Sequence, residues 1–88
     1  MDTTRARPWD DVIRELIARQ LKVSVEAVVP ARRLKDDLGA DLLSLAELAL
    51  ALEAQFDIEI PDEEWIDVES VSEVFTYVRS LIDEKTSH

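Results

Sequence analysis

The sequence predicts an all-α fold: a small four-helix bundle with three main helices, a short third helix and a long first loop. Three observations carry that expectation. Apolar residues recur at three-and-four spacing in three separate segments. Helix-starting chemistry stands before each of them. The one stretch that alternates like a strand, Asp57 to Pro61, has no second such segment to pair with. With 88 residues and no cysteine, the chain has room for one modest core held by helix packing alone, so residues 1–88 are expected to form a single domain.

The first helix is expected over residues 8–21. Trp9, Val12, Ile13, Leu16, Ile17 and Leu21 form its apolar stripe, Pro8 fits the first turn, and Asp10 and Asp11 sit at the positive end of the dipole. Residues 22–40 then form a long connection containing Pro30 and the only glycine, Gly39. Ser24 can cap one short turn there, and Val23, Val28, Leu34 and Leu38 are apolar anchors that drape the segment over the helices. Asp41 is placed to cap the second helix, which runs to Phe56. Its inner stripe is Leu45, Leu48, Ala49, Leu52 and Phe56, but Leu42, Leu43, Ala46 and Leu50 spread apolar surface over other faces as well. Pro61 with Asp62, Glu63 and Glu64 starts the short third helix, expected to end near Val68. Ser70 and Glu73 form a capping box for the fourth, whose buried positions are Val71, Val74, Phe75, Val78, Leu81 and Ile82. Residues 1–7 and 84–88 are expected to fray.

Charge excludes several function classes. The net charge is −10, yet residues 1–35 hold eight Lys/Arg against five Asp/Glu, while residues 36–69 hold twelve acids and no base. Such a surface repels nucleic acid phosphates and attracts basic protein surfaces. No apolar run approaches a membrane span and no signal peptide is legible, so the expected location is the cytoplasm. Catalysis lacks support: there is no nucleophile–base pair, and His88, the lone histidine, lies at the terminus. A calcium loop starting at Asp36 fails because Leu38 and Ala40 fall at ligand positions, and no metal site is expected. The sequence does not read as an enzyme.

The central segment narrows the field. Leu38-Gly39-Ala40-Asp41, Leu43, Glu47-Leu48, Leu52-Glu53 and the run from Phe56 to Glu64 closely resemble bacterial acyl carrier proteins. Gln20 to Val23, Leu34 to Leu38, Val68, Val71, Val74 and Tyr77 extend the likeness over nearly the whole chain. The resemblance implies the acyl-carrier-type four-helix bundle. It also implies a role in fatty acid or polyketide synthesis, in which a serine at the start of helix two bears a 4′-phosphopantetheine arm holding acyl thioesters. Partners would be a phosphopantetheinyl transferase and acyl-processing enzymes with basic docking surfaces, engaging a monomer.

One departure matters. Aligned without gaps, Leu42 stands where the family has that serine, between the retained Asp41 and Leu43. Leucine offers no oxygen for a phosphodiester, so loading is expected to fail and the cofactor to be absent. Three readings follow: a deliberate replacement that holds a carrier unmodified, a natural paralogue surviving as an interaction or regulatory module, or attachment at Ser44. Two residues advance a helix by about 200°, which points the Ser44 hydroxyl elsewhere. The expected partner surface is Asp41, Leu43, Ala46, Glu47, Leu50, Glu53 and Asp57. By resemblance, the acyl cavity would be lined by Leu48, Leu52, Ile60, Val68 and Val74, with Trp65 shortening or closing it.

Overall fold

The computed structural model describes residues 8–86, which form α1 (Pro8–Leu21), a single 3₁₀ turn (Val25–Ala27), α2 (Leu42–Phe56), α3 (Asp62–Trp65) and α4 (Val71–Thr86). The all-α expectation holds. Among the described residues the only β pairing is an isolated antiparallel bridge between Arg33 and Ser70. Residues 1–7 and 87–88, where fraying is expected, lie outside the described residues.

The core lies where the three long helices turn their stripes toward one another. Ile13 and Ile17 of α1, Leu48 and Leu52 of α2, and Val71, Val74 and Val78 of α4 are all fully buried. Three helices leave one side of so small a core open, and the long first loop closes it with Val28, Leu34 and Leu38. Buried backbone polar groups must find partners, and several of the loop's do so on α1 and at the start of α4. Arg14 of α1 donates from Nε to the Val28 carbonyl (3.2 Å) and from Nη2 to that of Val25 (3.0 Å), which pins the 3₁₀ turn. Further along, the Leu34 N–H donates to the Glu69 carbonyl (2.9 Å) and the Val71 N–H to that of Arg32 (3.0 Å). This clasp ties the loop to the start of α4.

Helix boundaries follow their local chemistry. The Ser70–Glu73 box forms: the Glu73 N–H donates to Ser70 Oγ (3.3 Å), and the Glu73 carboxylate accepts from the N–H groups of Glu69 (2.6 Å) and Ser70 (3.3 Å). Helix α3 stops at Trp65 rather than near Val68. Beyond Ile66 the bonds tighten to a three-residue span, with the Asp67 N–H on the Glu64 carbonyl and that of Val68 on Trp65. The chain must turn there to bring Glu69 and Ser70 alongside the first loop. Helix α4, in contrast, continues through Glu84 and Lys85 to Thr86, where a frayed end is expected. Lys85 holds it: Nζ donates to the Asp57 carbonyl (2.8 Å) and to Asp57 Oδ2 (3.1 Å), capping the C-terminal end of α2.

Two non-glycine residues adopt left-handed conformations, and both end helices: Lys22 after α1 (φ 61°) and Asp57 after α2 (φ 56°). In each case the next N–H returns to a carbonyl five residues back, Val23 to Ala18 and Ile58 to Glu53. A left-handed L-residue costs roughly 1–2 kcal/mol, of which a glycine's extra unfolded-state freedom returns about 0.4–1. Lys22→Gly should therefore stabilise the protein by about 0.5–1 kcal/mol, read as a rise in urea midpoint with unchanged slope.

Candidate functional site

The start of α2 is built by a reciprocal cap. Asp41 is extended (φ −127°, ψ −178°), and its Oδ1 accepts from the Ser44 N–H at 2.8 Å. The Ser44 hydroxyl accepts from the Asp41 N–H (2.9 Å) and donates to the Asp41 carbonyl (3.1 Å). Asp41 is thus the cap that its position suggests, while Ser44 is its partner in the box and not an idle solvated serine. The signal was present in the three-residue spacing of the two side chains. The Ser44 N–H, and after it the Ser44 hydroxyl, hold the Asp41 carboxyl below its ordinary 3.8. Leu42, the first helical residue, projects from this cap with 75 % of its surface exposed, and Leu43 beside it is 68 % exposed.

A cleft of about 540 Å³ runs between α2 and α3. Leu42, Leu45, Ala46, Ala49 and Leu50 form one wall; Ile60, Trp65, Ile66 and Val68 form the other; Leu34 and the charged side chains of Arg33, Lys35 and Asp36 close one end. Trp65 makes this geometry. It is buried, its Nε1–H donates to the Leu45 carbonyl at 3.0 Å, and its ring lies 6.3 Å from that of Tyr77. The Tyr77 hydroxyl in turn donates to Glu64 Oε1 at 2.7 Å, and burial followed by this bond raises its pKa. A one-turn helix that could not stand alone is thereby fastened to both α2 and α4.

The cavity residues expected from the sequence divide. Ile60, Trp65 and Val68 line the cleft, whereas Leu48, Leu52 and Val74 are fully buried in the core and do not reach it. They belong to the buried core cluster of the bundle. Nor does Trp65 plug the space. Its bond to Leu45 holds it against the floor, and the cleft beside it stays open. Sequence reasoning missed Ile66, which is 72 % exposed at the rim, because it reads as one more apolar residue of a longer third helix.

The expected partner surface also divides. Asp41, Leu43, Ala46, Glu47 and Leu50 are exposed along α2. Glu53 is half-buried and its carboxylate accepts from the Ile60 N–H at 2.8 Å, so it organises the segment leading to α3. Asp57 is exposed but pairs with Lys85 across the helix ends. Among the described residues, no cluster of His, Cys, Asp or Glu is arranged to hold a metal ion, and no helix is long and apolar enough to cross a membrane.

The Asp41 cap has a pH signature. Because its folded-state pKa is depressed, the carboxylate contributes stability above the unfolded value and loses it as pH falls through the folded one. Acid titration followed by circular dichroism should show this loss below about pH 4. Asp41→Asn should keep the cap acceptor but flatten that dependence.

Comparison with known proteins agrees with this architecture. The family model for the phosphopantetheine attachment site matches residues 11–78. An acyl carrier protein of Syntrophobacter fumaroxidans is 46 % identical over 66 residues, covering 75 % of this chain and 82 % of that protein. One from Campylobacter curvus is 42 % identical over 73 residues, covering 83 % and 94 %. A solved Mycobacterium tuberculosis structure described as an acyl carrier protein superposes with a TM-score of 0.75 at 32 % identity, covering 81 % of this chain and 95 % of that one. With the attachment-site match spanning most of its length and the four-helix plan in common, the chain belongs to the acyl carrier protein family.

Proposed function

We propose that this chain keeps the docking surface of an acyl carrier protein but does not take up the prosthetic arm. The observation that carries the reading is Leu42. By resemblance it stands at the attachment position, between Asp41 and Leu43 and at the exposed first residue of α2. A helix N-terminus favours an anionic phosphodiester, so the electrostatics there suit 4′-phosphopantetheine. The side chain does not: it has no oxygen to bond to phosphorus. The nearest hydroxyl, on Ser44, is held in the cap by two bonds to the Asp41 backbone, and its N–H neighbour is bonded by the Asp41 carboxylate. The residues present at this position do not fit the group, so this chain carries no acyl group there.

What remains is recognition. The exposed row of Asp41, Leu43, Ala46, Glu47 and Leu50 offers acid and apolar surface together, on a stretch from residue 36 to 69 with no base to oppose it. A phosphopantetheinyl transferase or an acyl-processing enzyme with a basic surface would dock there, and the chain would occupy the site without delivering a substrate. It acts as a monomeric, non-catalytic cytoplasmic partner in fatty acid or polyketide-type synthesis.

Intact mass after incubation with coenzyme A, magnesium and a broad-specificity phosphopantetheinyl transferase tests the first part. No mass gain is expected, and Leu42→Ser should load fully; a gain mapped to Ser44 would instead make this a working carrier with a shifted site. Glu47→Lys tests the second part. It should weaken transferase binding by about three- to tenfold at low salt, with thermal unfolding unchanged.

A further inference from the structure

We propose that residues 59–68 form a strap that opens and closes as one unit while the three long helices stay folded, and that the Trp65 indole is the latch that keeps it shut. An open strap joins the cleft on its α2 side to a second hollow on its α4 side.

Three observations point to it. First, the strap's backbone is self-contained. Among the described residues, the backbone–backbone hydrogen bonds made by Glu59 to Val68 all close within that span: the Glu64 and Trp65 N–H groups on the Pro61 carbonyl, Ile66 on Asp62, Asp67 on Glu64 and Val68 on Trp65. The backbone anchors lie just outside it. At one end the Ile58 N–H donates to the Glu53 carbonyl (3.3 Å), and at the other the Glu69 carbonyl accepts from the Leu34 N–H (2.9 Å). Opening therefore breaks no backbone bond of α1, α2 or α4. Second, the strap is thinly attached. Open space lies on both sides: the cleft of about 540 Å³ against α2, and a hollow of about 530 Å³ bordered by Glu59, Pro61 and Glu64 on the strap and by Tyr77, Leu81 and Glu84 on α4. Ile60 and Trp65 are its buried side chains, and most of the others are exposed. Sparse burial with local hydrogen bonding is the pattern of a unit that opens below the free energy of global unfolding. Third, three side-chain bonds reach across to the helices, and one of them is a latch. The Tyr77 hydroxyl meets Glu64, an exposed carboxylate that water can also serve, and Glu53 takes the Ile60 N–H near the strap's end. Trp65 alone joins a buried strap side chain to α2, through Nε1–H and the Leu45 carbonyl at 3.0 Å. An indole N–H is a donor only, and a buried donor without an acceptor is costly, so the bond and the burial of the ring are lost together.

Native-state hydrogen exchange on the unaltered, nitrogen-15-labelled chain tests this, read at increasing urea below the unfolding transition. The amides of Ile60, Trp65, Ile66 and Val68 and the Trp65 indole N–H should share one protection factor. It should lie about tenfold or more below that of the Leu52 and Val78 amides and depend little on urea. Trp65→Phe should lower the protection of the Ile60, Ile66 and Val68 amides about fivefold, with the helical circular dichroism intact. Strap amides that match Leu52 and Val78 in protection and in urea slope would show opening only with the whole bundle and overturn the proposal. An indole N–H that exchanges about tenfold faster than the α3 amides would overturn it too, because the bond would then break without the strap lifting. Unchanged strap protection in Trp65→Phe would take the latch from Trp65 and have the same consequence.

Discussion

Helix α2 carries apolar residues around more of its circumference than the rest of this small protein can cover, and much of the structure follows from how that excess is divided. Leu48 and Leu52 go fully into the core. Leu45 and Ala49 turn toward α3 and are half-covered. Leu42, Leu43 and Leu50 are left in water. Burying the first pair requires a cover on every side, and with only three long helices the first loop has to supply part of it through Val28, Leu34 and Leu38. The apolar residues that remain outside are those that border the cleft and the proposed docking row.

The short third helix illustrates how tertiary contacts replace local stability. Four residues cannot hold a helix by themselves. Here Trp65 reaches α2 through its indole N–H, and Glu64 reaches α4 through Tyr77. These two bonds point in different directions, so α3 is held as a wall with a gap behind it and does not collapse onto α2. The cleft is a consequence of this double attachment. At the opposite end of α2, Lys85 performs a comparable service, since its ammonium group satisfies the Asp57 carbonyl and carboxylate and keeps the last turn of α4 in place.

At the head of α2 the backbone chemistry and the functional question meet. A helix N-terminus must satisfy its free N–H groups, and the Asp41–Ser44 box does so for two of them. That arrangement commits the Ser44 hydroxyl to the fold, while Leu42, one position into the helix, has no structural duty and points outward. The residue with no oxygen is the exposed one, and the residue with an oxygen is the one in use.

Local signals were enough to read the helices, because a cap followed by a periodic apolar stripe is a property of consecutive residues. Asp41, the Ser70–Glu73 box, Pro61 with its three acids and the acidic stretch were all legible in that way. The shorter third helix and the longer fourth were not, since the clasp between Leu34 and Glu69 and the bond from Lys85 to Asp57 join residues far apart in the chain. Which residues line the cleft was not legible for the same reason. Periodicity tells which α2 and α4 residues turn inward, but whether an inward residue meets a sealed core, as Leu48, Leu52 and Val74 do, or an open cleft, as Leu45 and Ala49 do, depends on where α3 is fastened. The sequence by itself determined the helices and the charge. Only the tertiary structure decided where space was left between them, because space is set by the long-range bonds that stop the elements from closing.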